Sequence, residues 1–573
     1  MSAEQIYNAQ FLKTIQTLTS EGQPLEIEEM EIKGISYPVF RQMPSFLRDI
    51  YEAAYEHNDR DFMVYGQERL SYRQALDKAK QLAWALRQDY KIKTGDRIAI
   101  ACRNYPEWCI TYLAVTSIGA IIVPLNSWWK TEELEYAVRD SDPSLIFLDS
   151  ERAEYLSPYM DSSGLSGVII RGKADDFPGA VEWDDLLKYR PADTWPSCNS
   201  SIDDPATLFY TSGSTGSPKG VLSSARAVMT CLMTWAMMGV ANKLVDGKSL
   251  EDKDTHLGTL VSLPLFHITG CNSLFLLSLL QGRKIVFIDK WDVTHAMQLI
   301  EEEKLTHFVG VPTMTYELLN TPNRDEFNLS SLEDIGGGGA ARPADHVQRL
   351  KDSFGVDNVG IGYGMTETNA LGTLIGKDNY LRRPASVGQA NTPIVEIKIV
   401  DDHDMSLSVN QPGEICIKSA SNMQAYWNNQ KATDATLKDG WLYTGDIGYL
   451  DEDGFLFISD RKKELIISGG ENISPFEIET AILKVDGVLD VCVFSLPDER
   501  MGEVVGALVR VSKLIHSADA ILSALDLKIA HFKLPKSIYI QTDPLPVLGT
   551  GKADKKTIQH NCRSLYLKEK ISC

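Results

Sequence analysis

YTSGSTGSPKG (Tyr210–Gly220) follows an apolar run, SIDDPATLF (201–209), so a strand leads straight into a loop rich in glycine and hydroxyl groups. Gly213, Gly216 and Gly220 let the backbone approach a ligand closely. Thr211, Ser212, Ser214, Thr215 and Ser217 add hydroxyl donors, and Lys219 adds a mobile positive charge. Converging N–H groups and a lysine make a concavity for phosphate. The Walker pattern G-x-x-x-x-G-K-[ST] does not fit. Pro218 stands where that pattern has glycine, and Gly220 stands where it has a magnesium-binding hydroxyl. The stretch reads as a phosphate loop of an α/β protein, but not that of a kinase or GTPase.

The surrounding pattern supports that fold class. Helical and strand-like stretches alternate: DRIAIAC (96–102), PEWCITYLAVTSIG (106–119), AIIVPL (120–125), TEELEYAVRDSD (131–142) and SLIFLD (144–149). KIVFID, WDVTHAMQLIEEEKL, THFVGVP and MTYELLN continue the scheme. Such alternation predicts largely parallel sheets covered by helices. Around 390–458 the pattern changes to short strands and tight turns, a small β subdomain, and from Asp460 onward to a compact α+β unit. The expected division is a large N-terminal domain of layered α/β sheets over 1–459 and a small mobile α+β domain over 460–573.

A chain of 573 residues exceeds one compact core. Its formal net charge of −21 weighs against a nucleic-acid partner. The nine cysteines are scattered and form no C-x-x-C pair, which fits a reducing compartment and offers no metal framework. The N-terminus lacks a basic start and an apolar signal core, and the apolar stretches 109–126 and 257–282 are broken by proline, glycine and polar residues. No transmembrane segment and a cytoplasmic location are expected. Oligomeric state is not legible.

Further polar islands stand at strand ends: GGGGA (336–340), IGYGMTE (361–367), WLYTGD (441–446), DRKKELIISGGEN (460–472) and LPVLGTGKADKK (545–556). Singly, each is weak. In this order, over about Leu70 to Lys556, they resemble the adenylate-forming (AMP-binding) superfamily, which includes acyl-CoA synthetases, adenylation domains of peptide synthetases and luciferases.

The resemblance implies that ATP is split between its α- and β-phosphates: a carboxylate attacks the α-phosphorus, pyrophosphate leaves, and coenzyme A then takes the acyl group. It implies that Thr211, Ser212, Gly213, Ser214, Thr215, Gly216 and Lys219 wrap the β,γ-phosphates. Thr366 bonds the α-phosphate and Glu367 holds Mg²⁺. Tyr363 stacks on adenine in a slot completed by Gly338, Gly339 and Ala340, and Asp446 and Arg461 reach the ribose. Lys552 neutralises charge between carboxylate and α-phosphate, and His267 lies beside the acyl carbon. Ser468, Gly469, Gly470 and Glu471 resemble the pantetheine-channel loop of CoA ligases, and Lys463 occupies the hinge between half-reactions. Two positively charged groups and a metal suit a reaction that brings two anions together.

A stand-alone AMP-forming acyl-CoA ligase of fatty-acid metabolism is the leading expectation. An aryl-acid CoA ligase of coumarate or benzoate type, and an enzyme that loads a separate carrier protein, stay open. A non-catalytic nucleotide binder is disfavoured because Lys219, Thr366, Glu367, Asp446 and Lys552 are all in place, and luciferase-like oxidation needs an unusual substrate.

Overall fold

The computed structural model describes residues 3–572 apart from 176, 178, 189, 191–192, 212–217, 251–256, 340–341, 343, 357, 462–463, 469–470, 499–500, 513–516, 526–528, 530 and 549–551. Side chains are described for all of these but 3–6, 461, 471–472, 532 and 569–572. Two compact units result: 1–396 with 417–442, and 397–416 with 443–573.

The alternating stretches of the N-terminal unit fold into two sheets. In one, Arg97–Ala101, Ile121–Pro124, Leu145–Asp149 and Gly167–Ile170 run parallel, and Pro205–Thr211 joins beside Ile121–Pro124. In the other, Asp61–Tyr65, Lys284–Phe287, Gly258–Val261, His307–Gly310, Asp334–Gly337 and Asn358–Tyr363 run parallel in that spatial order. Strands this apolar need cover on both faces. Thr131–Ser141 and Ser150–Ser163 pack on the face of the first sheet that carries Ala99 and Ala101, and the helices Tyr72–Gln88 and Pro106–Ser117 lie on the opposite face, sharing one core with Ile98 and Ile100 of the first sheet and Phe62, Ile285 and Phe287 of the second. The two helices differ as their sequences require. Tyr72–Gln88 is amphipathic and starts in a Ser71/Gln74 capping box. Pro106–Ser117 is apolar all round, and all but one of its residues are buried.

Among the described residues one helix, Ala225–Val245, is long and apolar enough to cross a membrane by length and composition alone; half of its most apolar window is buried inside the protein. The N-terminal helix Ala3–Leu18, which sequence patterning did not single out, is tied to it where Tyr7 donates to Asn242 Oδ1 at 2.9 Å.

In the C-terminal unit, Val488–Asp498 and Gly502–Val511 form a long antiparallel pair, and Ser537–Gln541 joins the latter in parallel. Alternate residues face opposite ways. Val491 and Val493 share a core with Ile478 and Ile482 of the helix Pro475–Leu483, while Cys492 and Phe494 share another with Ile558 and Cys562 of the helix Lys555–Ser572. Packing assigns 397–416 and 443–459 to this unit as well, whereas the change of sequence pattern lies at Asp460. Among the described residues no disulfide joins the cysteines.

Candidate active site

The phosphate loop closes a hairpin. Pro205–Thr211 pairs antiparallel with Lys219–Ser224, with Thr211 opposite Lys219 and Tyr210 opposite Gly220. Residues 212–217, and with them Ser212, Gly213, Ser214, Thr215 and Gly216, lie outside the described residues. The loop's exits are pinned. Tyr210 donates to Asp140 Oδ2 at 2.6 Å, Tyr136 to the Pro218 carbonyl at 3.3 Å, and the Trp427 N–H to the Gly220 carbonyl at 2.7 Å. A Walker loop runs into a helix whose N-terminal dipole meets the phosphates. Here the strand Lys219–Ser224 follows instead of a helix, and Lys219 stands at its first position.

Beside the hairpin, the strand Ala425–Tyr426 places Tyr426 opposite Val221. The Lys219 ammonium lies 4.8 Å from the Tyr426 ring centroid, within cation–π range. The Tyr426 hydroxyl donates to Glu367 Oε1 at 2.6 Å. Glu367 and Tyr426 are 6% and 7% exposed. Burial, reinforced by the adjoining carboxylate, pushes the Tyr426 phenol far above its ordinary value, so it remains a donor. Sequence reasoning missed Tyr426; QAYWNN carries no glycine run or charge to mark it.

Glu367 sits in a short 3₁₀ turn, Thr366–Thr368, and its carbonyl accepts the Met423 N–H at 2.7 Å. Two left-handed residues follow, Asn369 (φ 55°) and Ala370 (φ 66°). Ala rarely adopts that conformation, and such backbone clusters at functional sites. Buried partners hold it. Asn369 Nδ2 donates to Ser223 Oγ and to the Ser421 carbonyl at 3.1 and 2.8 Å, while its own carbonyl accepts from Asn272 Nδ2 at 3.1 Å.

Asn272 belongs to a π-helical segment, Gly270–Leu276, that begins three residues after His267. Segments of this kind recur at functional sites. A Cβ at Gly270 would collide with the Pro264 carbonyl, which explains the glycine of PLFHITG. His267 is half-buried, and its Nδ1 accepts the Thr269 N–H at 3.3 Å. The histidine-bearing segment and the Thr366–Glu367 turn are thus linked by one side-chain bond.

Gly338 and Gly339 leave the end of Asp334–Gly337, and Tyr363 ends the neighbouring parallel strand Asn358–Tyr363. Both exits are carboxyl ends, where ligands of open α/β sheets bind. A Cβ at Gly338 would meet only the Gly362 carbonyl, at 3.5 Å. Ala340 lies outside the described residues. Gly364, between Tyr363 and the Thr366–Thr368 turn, is glycine because a Cβ there would collide with the Ala370 backbone, not because a ligand needs the space.

The remaining residues singled out in the sequence lie in the C-terminal unit, which is a compact unit of its own. Asp446, 8% exposed, pairs in register with Arg461, whose side chain is not described. The Asp446 N–H donates to Thr444 Oγ1 at 3.1 Å, and that hydroxyl donates to the Ile415 carbonyl at 2.8 Å. A carboxylate such as that of Asp446 can accept from two hydroxyls at once. Asp446→Ala is expected to raise the KM for ATP about tenfold or more, the worth of a charge-assisted hydrogen bond, and steady-state kinetics at saturating acid and CoA measure it. Ser468 is buried and pairs with Glu471, and Gly469 and Gly470 lie outside the described residues.

The second glycine loop is closed by a bridge between Val547 and Ala553 and by the Leu548 N–H donating to the Lys552 carbonyl at 2.7 Å. Lys552 is half-buried at its end. Lys555, which sequence reasoning did not single out, anchors the loop: its ammonium lies 3.2 Å from both Glu464 and Glu479. Against the cost of burial, those carboxylates hold it protonated well above the usual range. Glu464 directly follows Lys463, which lies outside the described residues.

Among the described residues no three His, Cys, Asp or Glu side chains gather as a metal cluster. Mg²⁺ is typically held by one or two carboxylates, substrate phosphates and waters, and a buried carboxylate beside a phosphate loop fits that pattern.

Comparison with known proteins agrees with this geometry. The AMP-binding enzyme family matches residues 50–427, and the AMP-binding enzyme C-terminal domain matches 477–552. The chain is 31% identical over 470 residues to a long-chain-fatty-acid–CoA ligase of Mycobacterium tuberculosis, covering 82% of this chain and 88% of that one. It is 32% identical over 498 residues to a feruloyl-CoA synthase of Amycolatopsis, covering 86% and 94%. ATP-bound MatB from Rhodopseudomonas palustris superposes with a TM-score of 0.78 at 26% identity, over 90% of this chain and 99% of that one. A phosphate hairpin without a Walker helix, a buried carboxylate beside it and the matched families lead to one conclusion: the chain belongs to the AMP-binding enzymes and is an ATP-dependent, AMP-forming acid–CoA ligase.

Proposed function

We propose that the acid is a fatty acid, activated as its acyl-adenylate and passed to CoA. The observation that carries the adenylation chemistry is the Lys219–Tyr426–Glu367 cluster at the exit of the phosphate hairpin. A cation and a metal-holding carboxylate side by side meet the need to bring a carboxylate anion to a polyphosphate. In this reading Lys219 and the loop hydroxyls hold the β,γ-phosphates, Thr366 the α-phosphate and Tyr363 the adenine. Glu367 would hold Mg²⁺, which when bound would supply positive charge to the phosphates. Asp446 and Arg461 orient the ribose, Lys552 meets the charge that develops at the α-phosphate, and His267 borders the acyl carbon. The small domain turns about Lys463 so that the loop Ser468–Glu471 replaces Lys552 for the thiol step. We place the enzyme in the cytoplasm, on its acidic charge and scattered cysteines.

Support for a fatty acid is the long-chain relative at 31% identity. The aryl-acid reading has its own support, the feruloyl-CoA synthase at 32%. One methylene discriminates by only ~1–3 kcal/mol, so a panel of acids decides. Acid-dependent pyrophosphate release, followed for straight-chain acids of graded length and for coumarate, ferulate and benzoate, is expected to give the highest kcat/KM with a straight-chain acid. A higher kcat/KM for an aryl acid overturns that choice. AMP and pyrophosphate are the expected nucleotide products, and direct formation of ADP and orthophosphate would sink the adenylation reading.

A further inference from the structure

The phenol at Glu367 bears on which cation the enzyme takes. Tyr426 donates a 2.6 Å bond to Oε1 of the carboxylate, and both its backbone and its ring are held. The Tyr426 N–H donates to Thr433 Oγ1 at 2.9 Å, the ring packs with Val221, Met423 and Leu442, and Lys219 lies over it. The carboxylate's own backbone is fixed by the Met423 N–H and by the Asn369 network. Neither partner can swing away without disturbing a buried neighbour.

Mg²⁺ is small, demands near-octahedral geometry and takes carboxylates through a single oxygen while keeping several waters. Ca²⁺ is larger, accepts more ligands and readily chelates both oxygens of one carboxylate. An oxygen already accepting a short bond from a fixed hydroxyl is a poor second arm for chelation. We propose that Tyr426 is a positioning residue that restricts Glu367 to one-oxygen ligation and so makes the nucleotide site prefer Mg²⁺ over Ca²⁺. This rests on Glu367 being the metal-holding carboxylate of the function proposed above. The ring, not the hydroxyl, makes the contacts to Lys219 and the core, so Tyr426→Phe removes the restraint and leaves the packing.

The test is metal·ATP binding to the whole protein by isothermal titration calorimetry, with Mg²⁺ and with Ca²⁺, for the wild type, Tyr426→Phe and Glu367→Gln. Binding is read without turnover, so a loss of activity cannot imitate the result. For Tyr426→Phe the ratio of Mg²⁺·ATP to Ca²⁺·ATP affinity should fall about tenfold, the scale of one hydrogen bond to a charged group. A general packing defect would weaken both complexes alike and leave the ratio unchanged, and an unchanged ratio overturns the proposal. Glu367→Gln should weaken both metal complexes while sparing metal-free ATP. If it weakens neither, the metal role of Glu367 fails, and the proposal with it. If it weakens both but Tyr426→Phe leaves the ratio intact, only the role of Tyr426 fails.

Discussion

Lys552→Ala is expected to lower acyl-adenylate formation by about 10²–10³-fold, the effect of removing one preorganised charge from a developing anion. The structure makes this a clean substitution. The loop is held by the Leu548 N–H to the Lys552 carbonyl and by the Val547–Ala553 bridge, and alanine keeps both. Lys555 anchors the same loop through Glu464 and Glu479 without using Lys552. The charge matters in the first half-reaction, where carboxylate and phosphate meet, and not in the attack of a thiol on an activated acyl group. The variant should therefore convert a supplied acyl-adenylate and CoA to thioester at close to the wild-type rate. Gly469→Trp should show the opposite: pyrophosphate exchange retained, thioester formation blocked. If both variants stay folded and lose the same half-reaction, the division of labour between the two loops is wrong.

The elements that sequence made legible are those in which one periodic pattern met one consequence. Pro106–Ser117 was readable as a helix from its pattern, and the structure shows all but one of its residues buried. The strands at 97–101, 121–124, 145–149 and 284–287 were readable as short apolar runs bounded by turns. The strand leading into YTSGSTGSPKG was legible from its apolar run, and the departure from the Walker pattern at Pro218 and Gly220 has a structural counterpart in the strand that stands where a helix would follow. The supporting residues were not legible. Tyr426 acts through a pairing with Val221 some two hundred positions away, and nothing local in QAYWNN reports that. Lys555 follows Lys552 by three positions in a lysine-rich run, and only the fold reveals that it is the one held between Glu464 and Glu479. Asn272 and Asn369 are nearly a hundred positions apart, and the bond between them is a product of tertiary packing. Glycines are ambiguous for a related reason, because an absent side chain reads alike in sequence whether it leaves space for a ligand or lets two backbones touch.

Gly364→Ala tests that distinction, and its expected effect is large. The Cβ would enter the contact shell of the Ala370 carbonyl, carbon and Cα, all backbone atoms with no rotamer to yield. Gly364 does not have a positive φ, so close approach alone demands glycine. Ala370 cannot give way cheaply, because its left-handed conformation follows Asn369, and Asn369 is bonded to Ser223, Ser421 and Asn272. Overpacking of this kind costs ~1–3 kcal/mol, and here the strain falls on the turn carrying Thr366 and Glu367. The variant should lose stability by that amount in urea denaturation and bind metal·ATP at least tenfold more weakly. Gly338→Ala is the matched control. Its Cβ meets only the Gly362 carbonyl at ordinary distance, so folding should be spared. If adenine lies against that backbone, as proposed, the methyl group raises the KM for ATP without shifting the denaturation midpoint. Wild-type stability and wild-type nucleotide affinity in Gly364→Ala would show that the close approach to Ala370 does not govern the turn.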